Sequence, residues 1–157
     1  MVKIKKLQST KITSIPGGKD PLLLIEEFLT QRGYQPKSCL QFKSNEVVTW
    51  SVPINEEDEL EITLEKLNQH TQTTIYFGIN IFAVPLKYTE AFLASALIVA
   101  DSLIGTKISL IDYDLVLSVT HYVYNMTIED LNYFFELLLS QQEPIKSAIL
   151  EGMKLDF

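Results

Sequence analysis

The sequence predicts a single α+β domain, and three observations predict it. Helical periodicity marks the start and the last third of the chain, strand-like alternation fills the middle, and 157 residues that are 46% hydrophobic and 21% charged suit one domain with its own core. A chain of this length buries roughly two thirds of the surface its unfolded form exposes, so no metal or disulfide staple is required.

The first helix has both ends written in. Asp20 is placed to cap orphan amides, Pro21 suits the first helical position, and Gly33 can take the left-handed conformation that closes the last turn. Leu22, Ile25, Phe28 and Leu29 form its buried stripe. Residues 8–18 are polar with two glycines and a proline, and 1–19 read as an N-terminal arm or irregular lead-in, leaving 20–157 as the domain.

The period then changes to two. Residues 38–43 and 46–52 flank a tight turn at Ser44-Asn45, and Val48, Trp50 and Val52 share one strand face. Leu60, Ile62 and Leu64 alternate with acidic and threonine residues in a third strand, and 73–84 make a fourth with Ile75, Phe77, Ile79 and Ile81 on one side. Short connections favour an antiparallel meander. Residues 89–103 are helical and apolar on nearly every side, ended by Gly105. A hairpin of 108–111 and 115–124 turns at Asp112-Tyr113-Asp114. Thr127 to Asp130 start a helix that reaches about Leu139, and Pro144 opens a separate short helix ending near Glu151.

Thirteen Lys and Arg against twenty Asp and Glu give a net charge of −7. Residues 1–43 hold eight of the basic residues and three acids, net +5, which leaves 44–157 at net −12. Such a body repels phosphates, so no nucleic-acid partner is expected. Lys3, Lys5 and Lys6 read as solubilising charge or a docking arm. The single cysteine, Cys39, closes no disulfide within the chain, and the first twenty residues hold no apolar run of signal-peptide length, so a reduced, cytoplasmic protein is expected. The longest apolar stretch, 91–100, stops at Asp101 and spans about 15 Å as a helix, so no membrane insertion is expected.

Chemistry-bearing residues do not assemble into a reaction centre. His70 falls in a polar turn and His121 on a strand face beside Leu117 and Val119, and with one cysteine they supply no four-ligand zinc set. Asp112 and Asp114 bracket a turn, where short carboxylates cap backbone amides. The run Glu56 to Glu59 with Glu61 lacks the alternating ligands and central glycine of a calcium loop. Ser14, Ser38, Ser95 and Cys39 stand in no nucleophile elbow, and Gly17-Gly18-Lys19 lacks phosphate-loop spacing. No catalytic residue, metal or cofactor is expected, and the protein is read as not an enzyme.

What the sequence offers instead is apolar surface. Helix 89–103 puts Phe92, Ala96, Val99 and Leu103 on one side and Leu93, Leu97 and Ala100 beside them, with Ile98 widening the arc beyond what one sheet face covers. Strand 115–124 carries Val116, Tyr122 and Tyr124 on its less apolar face. Phe92, Ala96, Val99, Val116, Tyr122 and Tyr124 are accordingly the interface candidates, through which two copies form a homodimer helix on helix or strand edge to strand edge. The competing reading is a small-ligand sensor or enzyme, with a pocket between sheet and central helix reached by Tyr76, Tyr122 and His121.

The order of elements from about Pro21 to Ile149 resembles the YbjN-like domain family. The closest stretch is 91–140: a helix, then Gly105-Thr-Lys-Ile-Ser-Leu-Ile-Asp-Tyr-Asp-Leu-Val-Leu as a hairpin, then Met126-Thr-Ile-Glu-Asp-Leu-Asn-Tyr-Phe-Phe as the next helix. The resemblance implies a fold similar to type III secretion chaperones, a strongly curved antiparallel sheet with flanking helices. It also implies a non-catalytic protein that binds a client or partner protein, commonly as a homodimer, in a group that includes secretion chaperones, stress-linked proteins and an assembly factor of cyanobacterial carboxysomes. This chain departs from the commoner pattern in its long lead-in before Pro21 and in lacking an arginine or asparagine in helix 89–103.

Overall fold

In a computed structural model of the chain, residues 19–66 and 72–154 are described. The expected N-terminal arm, apart from Lys19, and His70 lie outside them. Four helices and six strands follow in the order α1 (Pro21–Gln31), α2 (Pro36–Cys39), β1 (Leu40–Lys43), β2 (Val47–Pro53), β3 (Glu59–Lys66), β4 (Thr73–Ala83), α3 (Thr89–Asp101), β5 (Lys107–Ile111), β6 (Asp114–Tyr122) and α4 (Ile128–Lys154).

Local chemistry explains most of the boundaries. The Asp20 carboxylate accepts from the Leu22 amide at 3.0 Å, Pro21 leads α1, and Gly33 sits at φ 85° just past its end. At the start of α4, the Asp130 carboxylate accepts from the Thr127 amide at 2.8 Å while the Thr127 hydroxyl accepts from the Asp130 amide at 3.3 Å, a reciprocal cap with Asp in place of the usual Glu. The acidic turn before β3 is held by the Asn55 side chain, which accepts from the Glu57 and Asp58 amides at 2.8 Å each.

The six strands form one antiparallel sheet in the order β1-β2-β3-β4-β6-β5. This sheet is flat and open, which corrects the curved, secretion-chaperone-like sheet that the family resemblance implies. The physical reason lies in the ladder. Strong curling needs bulges or glycine kinks in the middle strands, yet β2 with β3 and β3 with β4 each pair over seven residues without a shift. The two irregularities are at Leu40/Phe42 in the outer pair β1-β2 and at Asn80/Phe82, close to the C-terminal end of β4. The second turns both Ile81 and Phe82 toward the helices, where Phe82 meets Phe92 edge to face at 5.6 Å.

One core joins the helices to a single face of the sheet, from Leu24, Ile25, Phe28 and Leu29 of α1, through Trp50, Ile62, Phe77 and Leu117, to the inner face of α4. Two elements differ from the expectation. Residues 36–39 form a short helical turn that seats Cys39 in the core, where a strand is expected from 38. The two expected C-terminal helices are one helix of 27 residues with Pro144 inside it. Proline removes one backbone donor from a helix interior and crowds the preceding turn. Here the buried positions Leu131, Phe135, Leu138, Gln142, Ile145 and Ile149 keep alternating four- and three-residue spacing across Pro144, so breaking the helix would expose one half of that stripe.

Helix α3 is clipped to α4 at Ser95, whose hydroxyl donates to the Ile149 carbonyl at 2.7 Å. A Cβ on Gly152 would meet the Ser95 hydroxyl well inside contact distance, with the Ser95 Cβ only 3.1 Å away. Gly152→Ala is therefore expected to push Ser95 off its carbonyl, but not in a Ser95→Ala background. Urea denaturation of the four proteins checks this, with a coupling of about 1 kcal/mol expected between the two sites.

Candidate interaction surface

The six interface candidates separate in the fold. On α3, Phe92 and Ala96 are buried against Phe82 and the rest of the core, and Val99 is half-buried beside them. They belong to the inner side of the helix. Its outer side carries Glu90, Ala94, Leu97, Ile98 and Asp101, and at its centre Leu97 and Ile98 are 71% and 74% exposed. Both occur in the apolar arc read from the sequence. Which side of that arc the chain covers depends on where α4 packs, and Ser95 and Ala96 mark that line.

Strand β6 is not an outer strand. It lies between β4 and β5, with Asp114 to Ser118 paired on both sides and 119–122 paired with β4 alone, so the outer strands are β1 and β5. Val116 is buried on the face away from the helices, while Tyr122 and Tyr124 are exposed beyond the end of β5. Beside the edge, Leu110 and Ile111 of β5 are 54% and 47% exposed, and Ile104 in the connection from α3 is 88% exposed. These three, with Leu97 and Ile98, are the surface residues the sequence reading did not single out as interface candidates. Their signal was hydrophobicity in an edge strand and its lead-in, which has no meaning until strand order is known.

The pocket reached by Tyr76, Tyr122 and His121 does not form. Tyr76 and Tyr122 point to the sheet face away from the helices. His121 alternates to the opposite face, tilted on Phe134 at 5.5 Å, with Nδ1 2.9 Å from the Tyr122 carbonyl. Among the described residues no group of three or more His, Cys, Asp or Glu could hold a metal ion, and no helix is long and apolar enough to cross a membrane. Cys39 is buried, and desolvation raises its thiol above the ordinary value, so it is a poor nucleophile.

The face away from the helices has its own centre. Gly78 leaves a notch there that the Tyr76 ring fills, with the ring's Cζ 2.6 Å from where a Cβ on Gly78 would stand. Burial first, and the negative charge of Glu61 second, raise the Tyr76 hydroxyl above its ordinary value near 10, with the Ser118 hydroxyl acting the other way. A phenol whose folded value is raised contributes stability in full below its unfolded value and loses it as pH rises past that value through the folded one. Tyr76→Phe is thus expected to flatten the fall of stability on the alkaline side of pH 10 and leave the neutral range unchanged, as read by thermal melts across pH.

No family model matches the chain, and no curated protein sequence matches it. Among solved structures it is similar to the crystal structure of YbjN from E. coli, a proposed transcription regulator. The match has 17% identical residues and a TM-score of 0.48, and covers 87% of this chain and 94% of that one. It is a match of structure, not of sequence. YbjN is also the name of the family whose element order the sequence resembles.

Proposed function

We propose that the protein is a non-catalytic protein-binding module, a chaperone or assembly adaptor of the cytoplasm, with 20–157 as its binding domain and 1–19 as an arm. It pairs with a second copy of itself through the β5 edge and the outer side of α3. The observation that carries this reading is exposed Leu97 and Ile98 on α3, Ile104 in the connection and Leu110 on the same side of β5, a strand with one unpaired side. Soluble proteins rarely leave such a patch uncovered, and β5 has neither proline nor bulge to blunt its edge. Phe92, Ala96 and Val99 support the outer side of α3 from beneath. The acidic body argues for a protein partner over a nucleic acid.

Light scattering coupled to size exclusion tests the pairing. A mass of about twice the 17.9 kDa chain is expected, falling to that of one chain in an Ile98→Asp, Leu110→Asp variant that still melts cooperatively. A wild-type mass of 17.9 kDa at every concentration overturns the dimer. Affinity capture at physiological salt that returns only nucleic acid or metabolites overturns the binding-module reading itself.

A further inference from the structure

We infer that the groove between α1 and the β6–α4 connection is the docking site of the chain's own N-terminal segment, residues 1–18, seated there through Ile12 and Ile15. The site goes beyond the binding-module reading and does not depend on the pairing through α3 and β5.

The groove has a volume of about 600 Å³, with Lys19, Leu24 and Glu27 along one side and Met126, Ile128 and Glu129 along the other. Its apolar residues belong to the margin of the core: Leu24 is buried, and Met126 and Ile128 are half-buried where they pack against it. Their outer parts leave apolar surface in a recess large enough to take several side chains. The charges at the rim are not balanced. Lys19 bonds Glu27 at 2.6 Å, whereas Glu129 is in no ion pair among the described residues.

What names the occupant is where the chain enters. The described residues begin with Lys19, in the wall of this groove, so residues 1–18 join the domain at that point. They hold four lysines and no acid, and the stretch nearest the groove is Lys11-Ile-Thr-Ser-Ile15. Ile15 and Ile12 are four and seven residues from Lys19, a reach of about 13 and 24 Å, and the eleven residues of α1 that flank the groove span about 16 Å. Running back along α1 requires a sharp reversal just before Lys19, where Gly17 and Gly18 stand. So short a tether holds both isoleucines at about millimolar effective concentration, an advantage that no segment of another molecule shares. Ile12 and Ile15 cover Met126 and Ile128, and Lys11 brings a cation to Glu129. With its own segment seated, the groove is closed to a partner.

Maleimide labelling of a cysteine placed in the groove, Met126→Cys in the full chain, tests this, with the buried Cys39 of the parent protein as background. Adding Ile12→Asp, Ile15→Asp is expected to raise the labelling rate about tenfold, and adding Val2→Asp, Ile4→Asp to leave it unchanged, with melting curves confirming that all variants fold. The protection is expected to persist on dilution and in the Ile98→Asp, Leu110→Asp background, as a contact within one chain requires. A rate unaffected by Ile12→Asp, Ile15→Asp, or raised equally by Val2→Asp, Ile4→Asp, overturns the seating. Protection lost on dilution or in the Ile98→Asp, Leu110→Asp background assigns the groove to the segment of a second copy and overturns docking within the chain. None of these outcomes alters the α3–β5 pairing, which is read separately as a mass.

Discussion

Phe28→Ala is expected to cost about 3–5 kcal/mol, the range for emptying a well-packed aromatic site. Phe28 is fully buried where α1 meets both the sheet and α4, with edge-to-face contacts to Phe77 at 6.1 Å and Phe135 at 5.8 Å. Phe77 continues the chain of rings to Phe134 at 6.0 Å, so the cavity would open in the middle of an aromatic cluster whose members also hold each other's rotamers. In a protein of this size the loss corresponds to a fall in the thermal midpoint of about 10 °C. Chemical denaturation followed by circular dichroism measures it. A cost below 1 kcal/mol would mean that α1 is not part of the cooperative core, whereas Phe28→Leu is expected to recover more than half of the loss by filling much of the volume.

Arg32→Ala carries the next largest effect, about 2–3 kcal/mol, although a lone arginine at a helix end is ordinarily a solvated charge. Its guanidinium lies over the Phe135 ring with 4.0 Å to the centroid, donates to Asn132 Oδ1 at 3.0 Å and pairs with Glu136, so one side chain ties the end of α1 to three positions of α4. The pair with Glu136 is partly exposed and contributes little by itself. The stacking and the bond to Asn132 supply most of the effect. Arg32→Lys separates the contributions: it keeps the charge but loses the planar stack and the fork of donors, and is expected to cost nearly as much as alanine. If lysine restores wild-type stability, the contact is one of charge alone.

Much of this architecture was legible in the chain because its signals are local. Asp20-Pro21 and Gly33 bound the first helix whatever packs on it, and the alternation at Leu60, Ile62 and Leu64 sets which side of β3 faces inward. The break expected at Pro144 shows where a local rule loses to packing. Proline disfavours helix continuation by a few kcal/mol, but the stripe from Leu131 to Ile149 buries enough apolar surface on both sides of it to hold one helix together. The candidate interface divided in the same way. The excess of apolar residues in α3 was readable, but the division into buried Phe92 and Ala96 and exposed Leu97 and Ile98 was not.

The amino-acid sequence by itself determined the α+β class, the placement of the strands and of the first and central helices, the inward face of the central strands and the acidic character of the body. These follow from periodicity, capping and charge, which act over a few residues or add without regard to position. Only the tertiary structure decided that the sheet is flat and open, that β1 and β5 are its outer strands, that Tyr76 and His121 lie on opposite faces, and that Ser118 is buried opposite Gly78. The physical reason is that strand order and register join residues thirty or more positions apart, such as Gly78 with Ser118, through backbone hydrogen bonds that every residue type except proline can donate.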